Sequence, residues 1–329
     1  MQNRRVLLAR RPRGGVSQAD FRIEEGPLPQ PAPGEVLVKN LWLSLDPYMR
    51  GRMSDAKSYV KGVELGEVMV GQTVGEVLES KHPALKTGDK VLTQLGWQLY
   101  GVSRDVSKID ATRAPLSYYL GILGMPGMTA YFGLKEIGQP RPGETLVVSA
   151  ASGAVGSVVG QLAKLWGCRA VGIAGGAAKC DYVKRELGFD ACVDYKAGDL
   201  AAALKDACPK GVDVYFDNVG GSIFDTLLAR MNLHSRVVVC GLISDYNATE
   251  PYAIRNWRCV LVNRIKLQGM IVFDWKERYG EALKALAGCL GEGRLRYRES
   301  VVEGLENAPG GLIALLKGEN FGKQLVKLA

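Results

Sequence analysis

Residues 147–167 read VVSAASGAVGSVVGQLAKLWG. A β-branched run stops at four very small residues, Ala150, Ala151, Ser152 and Gly153, and a helix-like stretch carrying Gln161 and Lys164 follows. The spacing Ala151-x-Gly153-x-x-Gly156 departs from G-x-G-x-x-G only at its first position. Where a strand ends in such a turn and a helix opens from it, free main-chain N–H groups and the positive end of the helix dipole face the same way. A pyrophosphate suits that place. Gly153 lets the backbone approach the phosphates, and Gly156 lets helix and strand pack closely. The plain alternative is a tight strand–helix turn without a ligand. The strand–helix–strand frame around it favours the phosphate.

The second strand of that frame, RAVGIAGG at 169–176, ends without an acid. An Asp or Glu about 20 residues past the glycines commonly holds the ribose hydroxyls of NAD. Here Ala174, Gly175 and Gly176 occupy that region and Lys179 follows. Nothing there repels a 2′-phosphate, so the charge logic favours NADPH over NADH. Lys179 is positioned to pair with that phosphate, and Tyr195, after the third strand, can offer a hydroxyl. A solvated first-turn lysine is the other reading of Lys179. A cation is slightly unfavourable at a helix N-terminus, which argues for a ligand role.

Metal chemistry has little to work with. The chain holds two histidines, His82 and His234, and seven cysteines, all from Cys168 onward. No CxxC occurs, so neither a zinc knuckle nor a disulfide framework is expected. The cysteines read as buried thiols of a reducing compartment. Tyr131 and Lys135 have the Y-x-x-x-K spacing of short-chain dehydrogenases. They precede the glycine turn, where that family's pair follows it, and read as ordinary helix positions.

The elements that must position these groups fall into two styles. The length of 329 residues suits about two domains of ~150 residues. The first ~120 residues read as β-rich, with strand-like runs at 35–45, 70–80 and 89–102 and a KTGD turn between the last two. From about Pro126 the pattern changes. A helix is expected over MTAYFGLKEIG (128–138). Strand-like runs then follow at 145–149, 169–174, 191–193, 212–216, 236–240 and 265–272, with helices between most of them. That alternation predicts a doubly wound parallel sheet. The tail adds a helix from about Gly280, an extended run LRYRESVVEG, a helix at 308–317 and a last strand, GKQLVKLA.

The net charge is +8, with Arg4, Arg5, Arg10, Arg11 and Arg13 near the start. Such a cluster reads first as a solvated edge. A nucleic-acid footprint and a steering field for an anionic cofactor are the alternatives, and no zinc-finger or RNA-binding motif supports the former. No stretch reaches the ~18 apolar residues of a membrane span, and the short apolar run Val6–Ala9 is no signal peptide. A cytoplasmic protein is expected.

With these residues in view, the chain resembles the medium-chain dehydrogenase/reductase superfamily over essentially its whole length. Within it, the sequence is similar to the zinc-free prostaglandin reductase (leukotriene 12-hydroxydehydrogenase) and alkenal double-bond reductase branch. The stretches that carry the likeness are SLDPYMRGRM, GMPGMTAYFGL, AASGAVGSVVGQLAKLWGCRAVGIAG, VYFDNVGG, CGLISDYN and LKGENFGK. The resemblance implies an α/β chain: a GroES-like β domain at 1–124, a Rossmann NADP-binding domain at 125–288, and a return segment at 289–329 that completes the first domain. It implies that Gly153, Ala154, Val155 and Gly156 hold the pyrophosphate, and that Lys179 and Tyr195 hold the 2′-phosphate. Asn218, the segment 240–246 (with Cys240, Gly241, Ser244 and Tyr246), Ile271, Val272, Phe273 and Asn320 would line the rest of the NADPH. Met125 and Thr129 would lie near the nicotinamide. It also implies a homodimer. The stretch PYAIRNWRCVLV at 251–262 departs from relatives that are richer in proline there, and in the family that region borders the substrate cleft.

The expected chemistry follows from a metal-free site. A simple carbonyl is poorly polarised without a Lewis acid. A conjugated enal or enone accepts hydride at its β-carbon, and the charge spreads to the carbonyl oxygen as an enolate. One hydrogen-bond donor at that oxygen is worth ~3 kcal/mol. Tyr246 is the candidate donor, since ISDYN follows a strand's C-terminal end, the edge where open α/β sheets bind ligands. Its alternative is a loop tyrosine bonded to the cofactor ribose. A phenol of pKa ~10 is a weak acid, so protonation of the enolate by Tyr246 or by water stays open. Tyr48 of DPYM is a second candidate, with a packed aromatic as its alternative. The function expected is NADPH-dependent reduction of the carbon–carbon double bond of α,β-unsaturated aldehydes or ketones. The alternatives are an NADPH quinone reductase and a non-enzymatic NADPH- or nucleic-acid-binding protein.

Overall fold

The computed structural model describes residues 2–329. In chain order the strands are β1 (Gln2–Leu8), β2 (Phe21–Pro27), β3 (Val36–Ser44), β4 (Thr73–Ser80), β5 (Lys90–Thr93), β6 (Tyr100–Ser103), β7 (Ser107–Lys108), β8 (Thr145–Ser149), β9 (Arg169–Ala174), β10 (Ala191–Asp194), β11 (Val212–Asp217), β12 (Met231–Val239), β13 (Lys266–Gly269), β14 (Glu299–Glu303) and β15 (Lys323–Lys327). The α-helices are α1 (Tyr48–Arg52), α2 (Met125–Phe132), α3 (Gly156–Leu165), α4 (Ala177–Arg185), α5 (Leu200–Ala207), α6 (Gly221–Leu228), α7 (Arg258–Val262), α8 (Tyr279–Gly291) and α9 (Ala308–Leu316). The chain divides into two compact units. One joins Met1–Gly121 to Glu299–Ala329, and the other is Ile122–Arg298. The return to the first unit therefore falls at Arg298/Glu299 rather than at 288. Helix α8 runs on to Gly291, and the Arg296 N–H donates to Gln161 Oε1 on α3 at 2.7 Å, which ties the following segment to the second unit.

The first unit is built on an antiparallel sheet. β1 and β2 form a hairpin, with Leu8 opposite Phe21. The larger sheet runs β14-β15-β3-β4-β5-β7, with β6 paired to β3. Only the C-terminal pair, β14 and β15, is parallel, and β15 joins β3 antiparallel, so the tail supplies strands that the N-terminal part lacks. Val6, Leu8, Leu43, Leu45, Met49, Trp97, Leu312 and Val326 share one buried cluster. The expected single run at 89–102 is two strands. Gly96, at φ +73°, turns the chain between them, and the Trp97 N–H donates to Met69 O instead of continuing β5. Nor are the N-terminal arginines a bare basic edge. Arg4 pairs with Glu25 and Glu306, Arg5 with Glu24, Arg10 with Asp20 and Arg11 with Glu64.

The second unit is a six-stranded parallel sheet in the order β10-β9-β8-β11-β12-β13. That is the doubly wound order 3-2-1-4-5-6, with its reversal between β8 and β11. Every residue of β8 is buried, as a central parallel strand requires. Val147, Val171, Tyr215, Val237, Leu204, Phe224 and Leu227 pack in one core. Two expectations shift here. The helix expected over 128–138 is α2 plus a π-type turn, Gly133–Gly138, closed by Gln139 at φ +42°. The strand expected over 265–272 stops at Gly269. Its neighbour β12 ends at Val239, where the Met270 N–H makes the last bond at 3.0 Å, and a 3-10 run, Val272–Arg278, follows.

Candidate active site

The small residues at the end of β8 have a steric cause. Ala150 sits at φ +51°, an uncommon left-handed conformation for a residue with a side chain, so the chain reverses abruptly. The Ala151 N–H then returns to Ile173 O on β9 at 3.0 Å, and Gly153 N–H to Ala150 O at 2.9 Å. A Cβ on Gly156 would collide with Ala150 O and come within 3.0 Å of Ala151 Cα. Only glycine lets α3 start that close to the strand. Val155, at the helix N-cap, offers no side-chain cap, so the first-turn N–H groups carry no side-chain acceptor there. The backbone thus forms a close cradle at the sheet's switch point, and its construction fits a pyrophosphate.

Across the switch point stands a group that sequence reasoning missed. Asp217, the last residue of β11, is fully buried. Its carboxylate accepts from Tyr215 Oη at 2.6 Å, Ser149 Oγ at 3.0 Å, Val219 N–H at 3.0 Å and Gly220 N–H at 3.1 Å. Burial nonetheless pushes its carboxyl above the ordinary range, because no cation is among the groups that oppose desolvation. Its carbonyl takes the N–H groups of Cys240 at 2.8 Å and Gly241 at 3.1 Å. Asn218 is held by Ser149: its N–H donates to Ser149 Oγ and its Nδ2 to Ser149 O, both at 2.8 Å. Ser244 donates through N and Oγ to Val219 O at 3.0 and 2.7 Å. The expected residues Asn218, Cys240, Gly241 and Ser244 are therefore brought together at one strand end and turn, 217–220, through Ser149, the Asp217 carbonyl and the Val219 carbonyl. A local signal for Asp217 existed in the FDN tripeptide, but its partner Ser149 lies 68 residues away. Tyr246 joins the same loop. The Tyr246 Oη lies 3.5 Å from where a Cβ on Gly241 would stand. Burial, with Asp217 next, pushes the Cys240 thiol up to about 12, so it stays protonated at neutral pH.

At the ends of β9 and β10 the cations gather. Lys179, half-buried on the first turn of α4, has its pKa lowered by burial and then by the nearby positive charge of Lys196. Tyr195, 41 % exposed, lies against Gly175: a Cβ there would stand 3.0 Å from its hydroxyl. The remaining expected positions spread out. Thr129 Oγ1 donates to Met125 O at 2.8 Å within α2, so this hydroxyl's proton is engaged in its own helix. Ile271 caps the 3-10 run after β13, and Val272 and the half-exposed Phe273 begin it. Ala154 lies in the turn before α3. Tyr48 and Asn320 belong to the first unit. Tyr48 opens α1, where burial and then the Asp46 carboxylate push its phenol strongly upward, so it is a hydrogen-bond donor and not an acid at neutral pH. Asn320 Nδ2 donates to Gly322 O at 2.8 Å. The stretch 251–262 is pinned to α6: Tyr252 Oη and the N–H groups of Arg255 and Asn256 all reach the Asp225 carboxylate. Tyr131 and Lys135 both donate to Glu281, which Arg278 also grips, so this pair serves the α2–α8 contact. Among the described residues no group of three or more His, Cys, Asp or Glu is placed to hold a metal ion, and no helix is long and apolar enough to cross a membrane.

Comparison with known proteins agrees with this architecture. A family model described as the N-terminal domain of oxidoreductase matches residues 4–110, and one described as zinc-binding dehydrogenase matches 154–288. The chain is 49 % identical to the NADPH-dependent curcumin reductase of Escherichia coli, over 100 % of this chain and 97 % of that protein. It is 43 % identical to the 2-alkenal reductase (NADP(+)-dependent) of Nicotiana tabacum, over 100 % and 98 %. The crystal structure of CurA from Vibrio vulnificus in complex with NADPH superposes with a TM-score of 0.96 at 48 % identity, covering 99 % of each chain. Quinone oxidoreductases of known structure match at 16–20 % identity, which shows the shared fold.

Proposed function

The chain belongs to the zinc-free branch of the medium-chain dehydrogenase/reductase family, and from that premise we propose that it reduces the carbon–carbon double bond of α,β-unsaturated aldehydes or ketones with NADPH. It is an NADP-dependent oxidoreductase with a GroES-like domain and a Rossmann domain. The observation that carries the finer reading is 43 % identity, over the whole chain, to a reductase whose name specifies 2-alkenals, the simplest such substrates. Bound NADPH supplies a hydride. The backbone of Gly153, Ala154, Val155 and Gly156 binds the pyrophosphate, and Lys179 with Tyr195 holds the 2′-phosphate. Asn218, Cys240, Gly241, Ser244, Ile271, Val272, Phe273 and Asn320 line the rest, with Met125 and Thr129 near the nicotinamide. Tyr246 donates a hydrogen bond to the substrate carbonyl oxygen, where charge builds as the β-carbon is reduced. Tyr48, held as a neutral phenol, is the second donor candidate.

Quinone reduction, the alternative, draws only on likeness at the level of the fold. A panel of one enone and one quinone, followed by NADPH oxidation, decides between them. Turnover with the enone and retention of the carbonyl in the product support the proposal. Turnover with the quinone alone overturns it. Non-enzymatic binding would show as intact NADPH binding with neither substrate turned over. The proposal includes a cytoplasmic setting, consistent with seven free thiols, and a homodimer. Edge strand β13 follows the exposed Trp257, Leu261 and Val262 in the chain, and an unpaired edge of this kind is usually covered. Light scattering at the mass of two chains, lost in Leu261→Asp, is the expected result.

A further inference from the structure

The adenosine end of the proposed site holds a second cation. Lys196 follows Tyr195 directly beyond β10. Its ammonium lies 5.8 Å from the centroid of the Tyr195 ring. Its stem crosses Gly175, where a Cβ would meet Lys196 Cε at 3.1 Å, Tyr195 Cε1 at 2.9 Å and Tyr195 Oη at 3.0 Å. Gly175 is therefore a close-approach position: any side chain there would push the tyrosine ring aside. The two turns that carry these groups are locked together. Asp194 Oδ1 accepts the N–H of Gly176 at 2.8 Å and that of Lys196 at 3.0 Å. That pair of hydrogen bonds to one carboxylate oxygen fixes the backbone of Lys196 against the loop that leads into α4 and Lys179.

We propose that Lys196 is a second specificity residue for the phosphate of the cofactor, forming with Lys179, Tyr195 and the bare Gly175 a seat for a phosphate dianion. The inference rests on the NADPH reading. Lys179 is partly desolvated and feels the positive charge of Lys196. Two like charges held together without a ligand repel. A dianion between them relieves that repulsion and gains two charge-assisted contacts. NADH, with a ribose hydroxyl at that place, gains neither.

The test is calorimetric titration of the purified enzyme with 2′,5′-ADP, which carries the distinguishing phosphate, and with 5′-AMP, which lacks it. The wild type is expected to favour 2′,5′-ADP strongly. Lys196→Ala should weaken 2′,5′-ADP by about tenfold, the scale of one charge-assisted hydrogen bond, and leave 5′-AMP unchanged. Lys196→Arg should restore most of the loss, which a purely structural role would not predict. Unchanged 2′,5′-ADP affinity in Lys196→Ala, or equal loss with both nucleotides, would overturn the role of Lys196 while leaving NADPH as the cofactor. A wild type without preference would overturn the NADPH reading and this inference with it.

Discussion

Each unit of the molecule buries an aspartate, and the two are treated in opposite ways. In the first unit Asp46 follows β3 and is met by Lys323 of β15 at 2.8 Å. The lysine side chain is only 1 % exposed and also donates to Leu45 O at 2.7 Å. In the second unit Asp217 receives no cation and is surrounded by hydroxyls and main-chain N–H groups. The first arrangement staples chain segments 277 residues apart. The second organises a turn, a loop and a strand end around a point where a ligand is expected. An ion pair holds two places together. A carboxylate satisfied by N–H groups shapes the backbone around it.

The contrast is broken most severely at the ion pair. Lys323→Met leaves the Asp46 carboxylate buried without its cation, and such a loss typically costs about 3–5 kcal/mol. Thermal unfolding should show a large drop in Tm for Lys323→Met, partly recovered in the double variant Lys323→Met/Asp46→Leu. A small drop would mean that the pair contributes little to holding the tail on the sheet. At the other unit the corresponding effect is on rate. Tyr246→Phe should lower turnover roughly 10–1000-fold, the usual scale for one oxyanion donor, while NADPH still binds. Unchanged turnover would leave Tyr246 as a ribose contact or loop residue.

How much of this was legible in the sequence follows the same division. The glycine turn could be read because strand, small residues and helix are adjacent in the chain. The missing acid before Lys179 was equally local. The hairpin β1–β2 was obscured by its arginines, whose acidic partners Glu24 and Glu25 lie on the opposite strand. In the sequence Asp217 is one more polar residue after a strand-like run. Its importance comes from Ser149 and from the Cys240–Gly241 backbone, which only the parallel sheet brings to it. The same holds for Lys196, since its relation to Gly175 depends on β9 and β10 being neighbours.

Smaller effects sharpen the comparison at less buried sites. Lys179→Ala should raise the KM for NADPH by about tenfold and leave that for NADH nearly unchanged. Equal loss with both cofactors would refute its pairing with the 2′-phosphate. The least effect is expected at Glu281, whose bonds to Lys135, Tyr131 and Arg278 hold its carboxyl near about 2 instead of 4.5. Because the folded value is depressed, the stability it contributes is present above pH 4.5 and lost as pH falls toward 2. Glu281→Gln should therefore lower stability slightly at neutral pH, with the gap to the wild type closing as pH falls through that window. An unaltered acid limb would show that solvent screens this cluster almost completely.

The central claim is that hydride goes to carbon and the carbonyl survives. It is tested most directly by reducing an enal or enone with NADPH deuterated at the transferable position and locating the label by NMR. The account predicts deuterium on the β-carbon of a saturated aldehyde or ketone. Deuterium on the carbinol carbon of an allylic alcohol would mean carbonyl reduction and would contradict it.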